Sequence, residues 1–121
     1  MKELLTVSNI TKIYETGKKK VVGVQNISFV VRRGEFVSVI GPSGCGKSTL
    51  LRCIASFEKI NGGNIYLNGK KVKKPQPNRF MVFQGLDQLF PWMTLKENIT
   101  FAMKVVNKGQ TNVEERAEHY L

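Results

Sequence analysis

Acidic side chains are scarce in this sequence: nine Asp and Glu stand against nineteen Lys and Arg, for a formal charge of +10 over 121 residues. Long apolar runs are absent too. Nothing approaches the roughly 20 residues that a bilayer-spanning helix requires, and Met1-Lys2-Glu3-Leu4-Leu5 lacks the apolar stretch of a secretory signal. A tie to a membrane is therefore expected to run through partners. Cysteine occurs twice, at Cys45 in a glycine-rich loop and at Cys53 about two turns along the helix expected after it. That placement disfavours a disulfide, and without a C-x-x-C spacing or a neighbouring His there is no redox motif.

At 41% hydrophobic and 9% aromatic composition the chain can bury the core of one soluble, globular domain. Its excess of positive charge suits polyphosphates, acidic lipid surfaces or nucleic acid. The basic residues gather at Lys18-Lys19-Lys20 and at Lys70, Lys71, Lys73 and Lys74, beside turn signals, where solvated loops carry charge.

Residues 4–14 and 21–31 are rich in β-branched and apolar side chains and read as two antiparallel strands joined through Glu15-Thr16-Gly17 and the Lys run. After the turn Arg32-Arg33-Gly34, the nearly continuous apolar run Phe36-Val37-Ser38-Val39-Ile40 predicts a strand covered on both faces. Leu50, Leu51, Ile54 and Ala55 recur at helical spacing and predict a helix from about Lys47 to Phe57. Asn68-Gly69, between Ile65-Tyr66-Leu67 and Lys70-Lys71-Val72, is the dipeptide of a type I′ hairpin turn. Arg79 to Phe83 reads as a further short strand ending at Gln84. Thr94-Leu95-Lys96-Glu97 has capping-box form ahead of a helix with Leu95, Ile99, Ala102, Met103 and Val106 on one side, ended by Gly109. Thr111-Asn112-Val113-Glu114 repeats that form before a helix that runs to Leu121 without a stop signal.

The segment Gly41-Pro42-Ser43-Gly44-Cys45-Gly46-Lys47-Ser48-Thr49 has the pattern G-x-x-x-x-G-K-[ST], which arises by chance in such a chain roughly a few times in a thousand. Between a strand and a helix, successive backbone N–H groups and the helix N-terminus form a concave anion site. Glycines at 41, 44 and 46 let the main chain approach phosphate oxygens with no Cβ intervening. Lys47 brings a positive charge to the β- and γ-phosphates, and Ser48 offers a hydroxyl to Mg²⁺, a hard ion that prefers oxygen. The bland alternative is a glycine-rich turn that binds nothing.

On these residues the sequence resembles the ATP-binding cassette family, specifically the nucleotide-binding subunits of membrane transporters. The likeness rests on the Walker A loop 41–49, on Tyr14 near the end of the first strand, on the hairpin Gly63 to Gly69, and on Phe80 to Phe83 leading into Gln84. It implies an α/β P-loop NTPase fold with an N-terminal antiparallel β subdomain. Residues 1–84 would form the β subdomain and P-loop core, and 85–121 the Q-loop and start of the helical subdomain. It further implies that Tyr14 stacks on adenine, that Gln84 contacts Mg²⁺ and the attacking water, and that ATP and Mg²⁺ are the cofactors.

The loop Gly85 to Thr94, with Leu, Phe and Trp, reads either as a partner surface or as a loop folded on its own core. The resemblance places it against a transmembrane permease subunit. A second nucleotide-binding subunit and a substrate-binding protein are the other implied partners, nucleic acid is not expected, and the implied location is cytoplasmic, on the inner face of the membrane. The wording Phe90-Pro91-Trp92 is similar to importers of nitrate, sulfonates and taurine.

ATP hydrolysis needs a carboxylate to hold the Mg²⁺ shell and usually a second to polarise water. Asp87, the only aspartate, follows Gln84-Gly85-Leu86; Glu114 and Glu115 fall in a helix first turn, where the dipole accounts for them; His119, the only histidine, lies on the last helix. The family's signature sequence, Walker B strand, D-loop and switch histidine would all follow the Q-loop. The likeness is thus to an N-terminal portion, truncated before those motifs, and predicts a chain that binds Mg·ATP weakly without turning it over and is marginally stable. Two other classes fit less: a DNA-repair or chromosome-type ATPase module whose basic patches contact nucleic acid, and a small P-loop kinase, for which no acceptor site or arginine-bearing lid is evident.

Overall fold

The computed structural model describes residues 2–85, 87–106, 109 and 111–121. Its contacts divide the chain into two compact units, Met1–Met81 and Val82–Leu121.

The first unit is a four-stranded antiparallel sheet with one helix on it. Strands β1 (Glu3–Thr16) and β2 (Lys19–Arg32) form a long hairpin, β3 (Gly62–Leu67) pairs with the other edge of β1, and β4 (Lys70–Lys71) closes the order β2-β1-β3-β4. Gly17, at φ 60°, makes the first turn, so Lys19 and Lys20 extend the strand opposite Thr16 and Glu15 instead of forming a loop. Asn68 and Gly69, at φ 50° and 75°, supply the two left-handed residues that a type I′ turn demands.

Strict alternation cannot bury both Val7 and Ile10, which are three apart, yet both are fully buried. A bulge reconciles them. The β1–β2 register shifts between Val7 and Ile10, Asn9 and Asn26 adopt left-handed backbone at φ 48° and 51°, and the Ser28 hydroxyl accepts the Asn9 N–H and donates to Asn9 Oδ1, both at 2.8 Å. Two apolar side chains from opposite parities thereby reach one face. Each such burial stabilises by about 1.5–3 kcal/mol.

Helix α1 (Lys47–Ala55) lays Leu50 and Cys53 on that face, where they meet Val7, Ile10, Val24 and Ile65. Burial pushes the Cys53 thiol pKa up, which makes it a packing residue, and both cysteines are free. The helix ends at Ser56 in left-handed conformation, short of the expected Phe57.

Two expected strands are not strands. Residues 36–40 pair with nothing in a ladder; Phe36 is 97% and Ile40 92% exposed. Residues 80–83 are likewise irregular, with Phe80 and Val82 exposed. An apolar run becomes a strand only where other backbone takes its N–H and C=O groups, and neither run joins the ladder β2-β1-β3-β4.

In the second unit, α2 (Leu95–Val106) packs on α3 (Val113–His119). The capping box at the start of α2 is complete: Glu97 N–H donates to Thr94 Oγ1 at 3.2 Å and Thr94 N–H to Glu97 Oε2 at 2.7 Å. The predicted apolar face is less covered than expected: α3 packs on α2, yet Leu95 and Val106 are exposed, while Asn98 and Thr100 are the buried residues. Asn112, rather than Thr111, precedes α3, without a side-chain cap, and Tyr120 closes the helix, its N–H donating to the Ala117 carbonyl at 3.2 Å and the Leu121 N–H to the Glu118 carbonyl at 3.3 Å. No described helix is long and apolar enough to cross a membrane.

Candidate nucleotide-binding site

The glycine-rich loop leads directly into α1. Gly46 is the N-cap, at φ 98° and ψ 12°, and no side chain caps the helix or places an acid in its first turn. The first-turn N–H groups, with the positive end of the helix dipole, therefore face outward without a built-in anion from the protein. The Lys47 ammonium folds back over the loop, donating to Gly41 O at 2.6 Å, Pro42 O at 2.7 Å and Cys45 Sγ at 3.5 Å. Pro42, Ser43, Gly44, Cys45 and Ser48 are exposed, and Gly41, Gly46, Lys47 and Thr49 are half-buried.

The close approach that needs glycine lies at Gly46. A Cβ there would stand 2.0 Å from Gly23 O, so the loop presses on the β2 backbone. Gly23 is itself a contact point: a Cβ on it would meet Tyr14 Cε2 at 2.8 Å and Thr49 Cγ2 at 3.1 Å. Tyr14, Gly23, Gly46 and Thr49 consequently interlock across β1, β2 and α1, with Tyr14 Oη 3.4 Å from Thr49 Oγ1. Tyr14 is half-buried, and the Lys12 ammonium, which pairs with Glu58 at 3.4 Å, lies 5.0 Å over its ring. Sequence reasoning named Tyr14 and missed Gly23, whose only signal is a glycine inside an otherwise β-branched strand. A cleft of about 390 Å³ opens beside the loop, walled by Val22, Val24, Val39 and Ile40 on the apolar side and by Gly46 and Lys47 on the other. Its size suits a small-molecule ligand.

These features fit a nucleoside triphosphate. The cradle accepts an anion at backbone N–H groups, glycine keeps Cβ atoms out of it, and a lysine whose partners among the described residues are loop carbonyls and a thiol can turn to phosphate oxygens. Among the described residues no group of three or more His, Cys, Asp or Glu could hold a metal by itself. A Mg²⁺ would rest on the Ser48 hydroxyl, phosphate oxygens and water.

Gln84 belongs to the second unit and is exposed. Its backbone neighbours are clasped by Gln88, which accepts the Phe83 N–H at 3.0 Å and donates to the carbonyls of Phe83 and of Gly85, the latter at 2.8 Å. Nothing in the sequence marks Gln88 for this part. Of the apolar loop that follows, Leu86 lies outside the described residues. Leu89 and Trp92 are exposed, and Phe90 is half-buried between Trp92, at 5.2 Å, and Phe101, at 5.1 Å edge to face.

A sheet-and-helix unit with this phosphate loop defines the class as a nucleotide-binding cassette. The family model described as ABC transporter matches residues 24–121, and the chain belongs to that family. It is similar to the bicarbonate transport ATP-binding protein of Synechocystis sp., 41% identical over 113 residues, with 93% of this chain and 40% of that protein covered. It is also similar to the nitrate import ATP-binding protein of Synechococcus elongatus, 36% identical over 114 residues, covering 93% of this chain and 41% of that one. Among solved structures, a dimeric ATP-binding cassette in a post-hydrolysis state with ADP and Pi superposes with a TM-score of 0.83 at 28% identity, over 96% of this chain and 55% of that one. The chain thus spans about 40% of the length of these curated relatives and about half of that structure. The expected α/β P-loop fold of ATP-binding cassette type, with its antiparallel β subdomain, is confirmed over that part.

Proposed function

We propose that this chain is the ATP-binding, energy-supplying part of an ABC importer subunit, and that residues 1–121 bind Mg·ATP without turning it over. The observation that carries the reading is the uncapped N-terminus of α1 behind the loop 41–49, with Lys47 arched over it. Backbone N–H groups of the loop receive the phosphates, Lys47 neutralises the β- and γ-oxygens, and Ser48 contributes to the Mg²⁺ shell. Tyr14, pinned through Gly23 to the loop's own helix, offers an aromatic surface for adenine at a fixed distance from the phosphate site. Gln84 is the link between nucleotide and partner.

Exposed Leu89, Trp92 and Leu95 supply the docking surface for a transmembrane permease subunit, and a second nucleotide-binding subunit completes the working assembly. The protein sits in the cytoplasm against the membrane, held there by the permease, and a substrate-binding protein supplies its cargo. Relatives named for bicarbonate transport and for nitrate and spermidine/putrescine import share this part of the chain, which fits a common energy-supplying role.

The test is a steady-state phosphate-release assay on the purified chain, with nucleotide binding measured in parallel. Binding without turnover is expected. Sustained hydrolysis that disappears in Lys47→Ala would overturn the non-hydrolytic reading.

A further inference from the structure

A polar residue buried on an otherwise apolar helix needs a reason, because an unpaired amide in that position costs about 1–3 kcal/mol. Asn98, on α2 and 9% exposed, spends its whole amide on the loop before the helix. Its Oδ1 accepts the Phe90 N–H at 2.8 Å, and its Nδ2 donates to the carbonyls of Thr94 at 2.9 Å, Phe90 at 3.2 Å and Met93 at 3.3 Å. One side chain thus holds the backbone of residue 90 at both its polar groups and ties the far end of the loop to the same point. Phe90, fixed in this way, rests its ring edge to face on Phe101 and carries Trp92 on its other side. Trp92 itself is 75% exposed, and Leu89 and Leu95 are exposed as well. An aromatic side chain that large gains little by packing there, so the clamp beneath it fixes a displayed residue rather than a core one.

We propose that Asn98 is a positioning residue: its amide holds the loop 90–94 so that Trp92 stands presented as the anchor for the membrane-embedded partner. The inference rests on the docking surface proposed above, and deepens it by naming what sets its geometry. Asparagine is required at this place because the loop offers one N–H and three carbonyls, a set that only a neutral amide matches. An ionised carboxylate would accept the Phe90 N–H but face the three carbonyls with no donor.

Trp92 is the only tryptophan, so the long-wavelength tryptophan band of near-ultraviolet circular dichroism, beyond the tyrosine and phenylalanine bands, and tryptophan-selective fluorescence anisotropy report the loop, while far-ultraviolet dichroism follows the helices and sheet. Asn98→Ala and Asn98→Asp are compared with the unaltered chain at ~pH 8, and Asn98→Asp again at ~pH 5, where a carboxyl raised by neighbouring carbonyls is protonated and regains one donor. The expected result is loss of the Trp92 near-ultraviolet band and a drop in anisotropy in both variants with far-ultraviolet signal retained, and recovery of the band in Asn98→Asp on acidification. An unchanged Trp92 signal in either variant overturns the proposal. So does joint loss of both signals with no recovery at low pH, which would make Asn98 a folding residue only. Trp92→Ala tests the docking surface separately: if the clamp behaves as described but Trp92→Ala leaves association with the permease intact, the docking reading fails and the clamp stands.

Discussion

Alanine at Gly46 and alanine at Gly44 remove equally small hydrogens from the same loop, but the structure predicts unequal consequences. Both glycines have positive φ, 98° and 81°, which costs an L-residue about 1–2 kcal/mol. At Gly44 nothing stands within 4 Å of the added Cβ, so that conformational term is the whole penalty. At Gly46 the new carbon falls 2.0 Å from Gly23 O, and β2 must give way by roughly 1 Å, an overpacking cost of about 1–3 kcal/mol more. The sum, about 2–5 kcal/mol, is a large fraction of the roughly 5–15 kcal/mol that holds a domain of this kind together. Far-ultraviolet thermal melts of the two variants are the assay, with nucleotide titration alongside. Gly44→Ala should melt a few degrees below the unaltered chain and lose affinity through its crowding of the phosphates. Gly46→Ala should lose at least twice as much in melting temperature, or fail to fold. Equal melting temperatures would refute the claim that the loop bears on β2 at Gly23.

Other outcomes follow from the same geometry. Gly23→Ala meets the edge of a side chain, Tyr14, which can rotate away; it should fold, and weaken ATP binding while leaving inorganic triphosphate binding nearly unchanged, as measured by competition titration. The pH dependence of the α2–α3 unit has a definite sign. Glu97, held by the Thr94 backbone N–H, and Glu118, held by Lys96 at 2.6 Å, have pKa values lowered from 4.5. Their contribution is complete above that unfolded value and is lost as pH falls through the lower folded values, so helicity of α2 and α3 should drop on acidification below about pH 4.5 and be less sensitive in Glu97→Gln. Lys96 is raised by its hydrogen bond to Glu118, so the same pair should weaken again only in strong alkali, above pH 10.5, a window far from the acidic one.

What could be read from the sequence, and what could not, divides along a physical line. Signals that depend on local backbone demands were legible: Asn68-Gly69 because a type I′ turn needs two positive φ values, Thr94 with Glu97 because a capping box is reciprocal over three residues, and 41–49 because an anion cradle needs glycine at fixed places. The runs at 36–40 and 80–83 misled because their composition says only that they suit a buried strand; pairing requires backbone from elsewhere, and among the described residues neither run is paired in a ladder. Residues whose role is to satisfy other residues' carbonyls were invisible. Gln88 and Asn98 look like ordinary polar positions until their partners are placed, and the bulge at Asn9 that brings Val7 and Ile10 to one face leaves no periodic trace.

Whether the loop 41–49 binds the phosphates of ATP is decided by titrating the purified chain with Mg·ATP in competition against a fluorescent ATP analogue. Saturable binding is expected with a Kd on the order of 1 mM or tighter, about −4 kcal/mol or better, abolished in Lys47→Ala while the far-ultraviolet spectrum is retained. Binding that is absent in the folded chain, or that survives unchanged in a folded Lys47→Ala, would contradict it.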